Sequence, residues 1–424
     1  MRDPARPFGF WTATALVVGG MIGSGIFLVP SALASFGWTG VAAWIVGIAG
    51  ALAIGATLTR LAATVPAASG AIAVAGAVLG PLPGLLVGWS YWVAVWAANA
   101  AIAIAATSYL AAMQPWLAAT PLRGALVAVA IIWALTGLNL AGARRAGEFQ
   151  VVTTLLKLLP LLAVVAIAAG VGRAAPVTLP ALPPLREVGY GLATAVTLTL
   201  FALVGFEAAG VAADRVRNPI QTIARATLAG TVVTGVLYLL VCSAIVLMLP
   251  IATVASSPAP FALFVGTFWG PQAALAVALF AAIAAVGALN GWVLIQGEVP
   301  LGMSRAGLLP RWFAAVSPRD VPVRVLVLSS ALASALILSR ASASLGGIFT
   351  FVMLLSTCAT LWLYVAICVA ALVRRVATGL AAAGLAFTLL AFWGAGIEAS
   401  GLSLVLMLTA LPVYGLRGDV GKRH

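Results

Sequence analysis

The sequence predicts an all-α integral membrane protein of about twelve transmembrane helices, on three observations. Hydrophobic residues make up 63% of the 424 positions and charged residues only 7%, with a mean hydropathy of +1.17. That leaves too little polar surface to coat a soluble globule. Apolar runs of about 20 residues, the length that crosses a bilayer, recur along the whole chain. Apart from Arg60 and Lys157, the basic residues fall in the loops and tails outside those runs.

In order, the apolar runs cover residues 10–34, 40–61, 82–112, 125–143, 151–171, 189–213, 228–251, 273–295, 325–338, 346–373, 380–394 and 399–416. Pro and Gly clusters such as Gly80-Pro81-Leu82-Pro83-Gly84 and Pro183-Pro184 punctuate them. No run of sequence reads as a soluble domain, so a single membrane domain is expected over 1–424.

Two of these spans contain a break. Gly23-Ser24-Gly25 lies inside the first, and Gly205-Phe206-Glu207 near the middle of the sixth. Glycine relaxes a helix into extended backbone more readily than any other residue. At membrane depth such backbone is tolerated only where it lines a cavity or is buried in protein. Two interrupted spans in corresponding halves are the sequence mark of a transporter's binding site. Close helix packing through small residues is the plainer explanation of either break alone; the pairing favours the site.

The formal charge of +13 is distributed as a topology signal. With the N-terminus in the cytoplasm, that side carries Arg2, Arg6, Arg60, Arg144, Arg145, Arg215, Arg217, Arg225, Arg305, Arg311, Arg319, Arg324, Arg374, Arg375, Arg417, Lys422 and Arg423. The other side carries Arg123, Arg173, Arg186 and Arg340. The positive-inside rule therefore places both termini in the cytoplasm. Scattered loop charges form no stripe, which argues against a nucleic-acid partner. The N-terminal arginines and Ser31-Ala32-Leu33-Ala34 imitate a cleavable signal, but the apolar stretch is too long for one and is read as the first permanent span.

Cys242, Cys358 and Cys368 lie in apolar spans without pairing or metal-ligand spacing, and His424 is the lone histidine. Zinc chemistry, a Cys/His nucleophile and a Ser/His/Asp triad are thereby excluded, and no cofactor or enzymatic activity is expected.

The stretch Gly20-Met21-Ile22-Gly23-Ser24-Gly25-Ile26-Phe27 with Pro30 resembles the first-helix signature of the amino acid-polyamine-organocation transporter superfamily. Gly205-Phe206-Glu207 with Arg217-Asn218-Pro219, Asn290-Gly291-Trp292, and Gly307-Leu308-Leu309-Pro310 with Pro322 follow in matching order over nearly the full length. Within the superfamily the chain is most similar to the arginine/agmatine antiporter and its basic amino acid/polyamine relatives. The resemblance implies a LeuT-like fold of two inverted five-helix repeats, about 9–171 and 189–373, with peripheral helices at about 380–416. It implies alternating-access transport of a small amino acid or amine.

The physics of such a site is legible in these residues. A zwitterion needs both charges matched, since burying either unpaired is costly. Freed N–H groups at Ser24 and Gly25, at the start of a half-helix, suit a carboxylate. Carbonyls around Met21, Phe201 and Val204 suit an ammonium. By resemblance Trp292 stacks on a cationic side chain, and Tyr91, Ala94 and Asn99 line the third span; Asn99, eight residues beyond Tyr91, is expected on the same helical face. Glu207, the one carboxylate well inside a hydrophobic segment, is expected to couple or gate, its alternative role being to brace the broken helix. Tyr364 survives as a gating candidate.

The resemblance is not uniform. Phe201 stands where the antiporters have a gating tryptophan, and Leu85 and Ile72 where tyrosines are expected. Lys157, the only lysine in a span, is a feature of proton-driven permeases and sodium-independent exchangers of the superfamily, where its ammonium replaces a sodium ion. Sodium-independent transport is expected. A proton-coupled permease or exporter of neutral amino acids is the alternative. A channel would show charged rings or a carbonyl filter, and a sensor or scaffold would usually append a soluble domain; neither is visible. The expected partners are the substrate and the lipid bilayer, a second copy in a homodimer being left open. The expected location is the cell membrane, the inner one in a Gram-negative bacterium.

Overall fold

The computed structural model describes residues 9–23, 25–65, 70–141, 156–174, 184–206 and 219–415. All regular structure there is helical. Without water in the lipid core every peptide group must find its partner within the segment, and the helix does this.

The first expected span is two helices, α1 (Phe10–Met21) and α2 (Gly25–Leu33), bent by 52°. Then follow α3 (Trp38–Ala62), α4 (Ala71–Leu79), α5 (Pro81–Met113), α6 (Pro121–Leu140), α7 (Leu158–Ala174) and α8 (Leu185–Leu203). The second half holds α9 (Pro219–Met248), α10 (Ile251–Ala255), α11 (Pro260–Trp269), α12 (Pro271–Arg305), α13 (Val323–Ser339), α14 (Leu345–Val373), α15 (Thr378–Leu408) and α16 (Ala410–Gly415). Each of the twelve expected spans coincides wholly or in part with a helix. Among the described residues seven helices are long and apolar enough to cross a membrane alone, and the bent α1–α2 pair makes an eighth.

Three details depart from the sequence reading. The last two expected spans meet without a loop, as one element bent at Gly396, whose φ of 80° a helix cannot accommodate. The eighth span continues ten residues past 295 to Arg305, because Pro300 is carried inside the helix. That extension brings Glu298 into α12, a carboxylate that the sequence reading leaves outside every span.

Two elbows share one geometry. Gly80 (φ 101°, ψ 172°) joins α4 to α5, and Gly270 (φ 87°, ψ 174°) joins α11 to α12. In both, the glycine N–H closes on the carbonyl four residues back, Gly76 or Gly266, at 2.9 and 3.1 Å. A proline then occupies the first helical position, where no N–H is needed. The matching stretches Gly76–Gly84 and Gly266–Ala274 went unnoticed in the sequence.

α5 is the axis of the bundle. Its central window is 94% buried, against 33% for those of α6 and α15. It packs most extensively on α12 and α14. Small side chains let the backbones close in, and hydroxyls cross between them. Ser90 donates to Ala359 O and Ser356 to Ala94 O, both at 2.8 Å, tying α5 to α14. On another face Asn99 Nδ2 donates to Gln296 Oε1 at 2.7 Å, Gln296 Nε2 to Ser330 Oγ at 2.8 Å, and Ser330 shares a 2.7 Å bond with Thr136. α5, α12, α13 and α6 are thus joined by one buried polar chain, beside which Asn139 donates to Asn290 Oδ1 at 3.0 Å.

Gln296→Leu strands the Asn99 amide and is expected to cost about 1–3 kcal/mol, whereas Asn99→Leu combined with Gln296→Leu should recover part of that loss, because no polar group is then left alone. Melting temperatures of the purified variants in detergent check the cycle.

Candidate functional site

The two chain breaks meet in the middle of the bundle. At the first, the Ile22 N–H still closes on Val18 O at 2.8 Å, and the Gly23 N–H turns back onto Met21 O at 2.7 Å. α2 then restarts at Gly25. At the second, α8 ends at Leu203 and Val204 is extended (φ −60°, ψ 142°). Gly205 follows with a φ of 111°, in the region that only glycine enters without strain. A Cβ on Gly205 would lie 3.0 Å from Gly20 O, so the second break rests directly on the last peptide of the first half-helix. Ser24 and Glu207 lie outside the described residues.

Met21 O is a shared acceptor. Besides the Gly23 N–H it takes the hydroxyl of Tyr238 at 2.8 Å, from a fully buried side chain on α9. Both of its lone pairs are engaged in this conformation.

Between the breaks lies a cavity of about 460 Å³, its open mouth included. Of the expected site residues, Met21, Gly25, Tyr91, Ala94, Phe201, Val204 and Trp292 line it together. Phe201 lies over Gly25, where a Cβ would come within 2.9 Å of its ring, and meets Phe349 edge-on at 6.1 Å. No charged side chain lines the cavity among the described residues, nor do these contain a cluster able to hold a metal ion.

Three expected residues do not line it. Asn99 is committed to Gln296 in the α5–α12 interface. Tyr364 stacks on Phe206, centroids 5.4 Å apart at 27°. Lys157 is 2% exposed just before α7. The structure adds Ser356 and Thr360 of α14 to the lining. Their hydroxyls donate along or between helices, to Ala94 O and Ser356 O, and keep lone pairs to accept. Small polar residues in an apolar span carry no local signal of that role.

The amino acid permease family profile matches residues 8–422. The chain belongs to the amino acid permease family. It is an integral membrane transporter. Among similar proteins is a cadaverine/lysine antiporter of Escherichia coli K12, 31% identical over 334 residues, covering 79% of this chain and 75% of the relative. A putative arginine/ornithine antiporter of Bacillus subtilis 168 is 29% identical over 80% of this chain and 78% of its own length. The putrescine transporter PotE of Escherichia coli K12 is 25% identical over 99% of both.

In this permease the α2 half of the first span is fastened to its surroundings. The Tyr109 hydroxyl donates to Phe27 O at 2.7 Å and accepts the Phe261 N–H at 3.4 Å, bridging α2, α5 and α11. Phe27 and Phe261 meet edge-on at 5.1 Å, and Ser31 donates to Ser257 O at 2.9 Å.

Gly205→Ala both strains a positive φ and pushes a methyl into the Gly20–Met21 peptide. A loss of about 1–3 kcal/mol is expected, with a lowered melting temperature. Gly23→Ala, whose Cβ meets nothing closer than 3.8 Å, should leave the melting temperature near the parent's.

Proposed function

We propose that the chain is an antiporter for basic amino acids and their amine products, exchanging them by alternating access around the cavity between the two chain breaks. One observation carries this: two interrupted helices abut there and, with α5, α12 and α14, line one cavity without a charged side chain among the described residues. The printed activities of the relatives supply the substrate class.

The substrate carboxylate sits at the N-terminus of α2, on the Gly25 and Ser24 amides. The ammonium goes to the carbonyls at the end of α8, Phe201 and Val204. Met21 O can join only after one of its two present donors leaves. The aliphatic stem runs along Ala94 and Phe201, and the distal cation meets the Trp292 face with Tyr91 and Ser356 as acceptors. Glu207 couples or gates, Tyr364 braces the second break through Phe206, and Lys157 stands in for a sodium ion, making transport sodium-independent. The chain is organised as repeats over 9–171 and 189–373, with 380–416 peripheral; the paired elbows at Gly80 and Gly270 support this. The charge asymmetry of the loops supports cytoplasmic termini.

A second reading, a proton-coupled permease or exporter of neutral amino acids, is favoured by the same lack of an acidic lining residue among those described. Proteoliposomes loaded with lysine or arginine distinguish the two. Antiport predicts that internal substrate accelerates uptake of labelled lysine, without sodium and without a pH gradient. Equal stimulation by leucine in both roles would support the neutral reading.

Trp292→Leu is expected to weaken cationic substrates by about 2- to 30-fold, the range of a cation–π contact, and to leave leucine transport unchanged. Concentration dependence of uptake measures both.

A further inference from the structure

The connection between α12 and α13 carries a surface outside the substrate cavity. It is held down by one side chain: Phe313, 8% exposed, packs edge-on against Trp89 and Trp92 of α5, with centroids at 6.2 and 6.1 Å. Trp92 in turn donates to Ser329 Oγ of α13 at 2.9 Å. The 3₁₀ turn Arg311–Ala314 built on this anchor points its other residues outward, and Arg311 and Trp312 are both exposed. The Arg324 guanidinium, from the first turn of α13, lies 5.9 Å from the Trp312 ring centre. Arg319, in the same connection, is a third exposed arginine.

The charge on this surface is unbalanced. Asp320, the carboxylate of the connection, faces Arg305 at 3.5 Å. Among the described residues no carboxylate pairs with Arg311, Arg319 or Arg324. Beside Arg324, Val323 and Val327 of α13 are both exposed and lie about 40° apart around the helix. Guanidinium groups beside an exposed tryptophan, continuing into an apolar helix face, match an amphiphile with an anionic head and an acyl tail.

We propose that this surface binds an anionic phospholipid, its phosphate on Arg311, Arg319 and Arg324, its glycerol region on Trp312 and an acyl chain along Val323 and Val327. The occupied site steadies α5 through Phe313, and α5 carries Tyr91 and Ala94 of the substrate cavity. Anionic lipid thereby sets the transport rate. This rests on the transporter reading only for its rate effect; lipid binding itself does not.

The test uses the full chain in two assays. Native mass spectrometry of the purified protein with phosphatidylglycerol counts retained lipid. Initial exchange rates are measured in vesicles of phosphatidylcholine with about 0 to 40% phosphatidylglycerol. The parent should retain the lipid and speed up several-fold with its content. Arg311→Gln with Arg319→Gln and Arg324→Gln should lose retention by about tenfold or more and exchange at the slow, composition-independent rate. The same three positions changed to Lys should retain most of both, which guards against misfolding. Arg374→Gln with Arg375→Gln, exposed arginines elsewhere at this end, should behave as the parent. Retention by the triple Gln variant equal to the parent's, equal loss in the Arg374/Arg375 variant, or displacement of the lipid by millimolar inorganic phosphate would each overturn the site. A parent rate indifferent to phosphatidylglycerol, with retention intact, would overturn the coupling alone.

Discussion

Peptide groups released from a helix in the middle of a bilayer have no water to fall back on, and the rest of this structure is arranged around that shortage. The two breaks settle it partly between themselves. The extended backbone after Leu203 is pressed onto the Gly20–Met21 peptide, at a spacing that only a glycine at 205 permits. The exposed carbonyl of Met21 is quenched from one side by the Gly23 N–H and from the other by Tyr238. The bare backbone needed for a zwitterion is therefore stable because each half supplies part of the other's surroundings. α9 enters the site through one buried hydroxyl, although none of its described residues lines the cavity.

α5 turns this local arrangement into a whole-protein one. With about 100° per residue, positions 91, 94, 95, 98 and 102 form one stripe, and these five line the cavity. Asn99, eight residues from Tyr91, is rotated by about 80° from that stripe, which turns it toward Gln296. Trp92, about 20° from Asn99 around the helix, carries the same face down to Phe313. A single helix thus reports to the cavity, to the α12–α13 side and to α14 at once, which suits its nearly complete burial.

What could be read from the chain followed from backbone needs. The breaks at Gly23–Gly25 and Gly205 were legible because few residue types tolerate them, and the spans because lipid demands a fixed apolar length. Of the seven expected residues that line the cavity, Met21, Gly25, Phe201 and Val204 followed from the breaks themselves, and Tyr91, Ala94 and Trp292 from the family resemblance. Side-chain direction within an apolar helix was not legible: Ser356 and Thr360 look like any small residues, and Tyr364 lies on Phe206 where its span number alone suggested a gate. The end of α12 is hidden in the sequence because Pro300 and Glu298 imitate a loop, while the helix carries both. Gly396 looked like a boundary between spans for the same reason, and it is a bend.

The Gly80 and Gly270 elbows have a mechanical consequence. A joint made of one left-handed torsion followed at once by a ring-locked proline contains no slack loop to absorb displacement. The short helix before each joint and the long one after it behave as a bell crank, so that a push on α4 or α11 at the rim is delivered as a tilt of α5 or α12 at the centre. Traffic through the middle can thus be governed from either rim by a rigid arm.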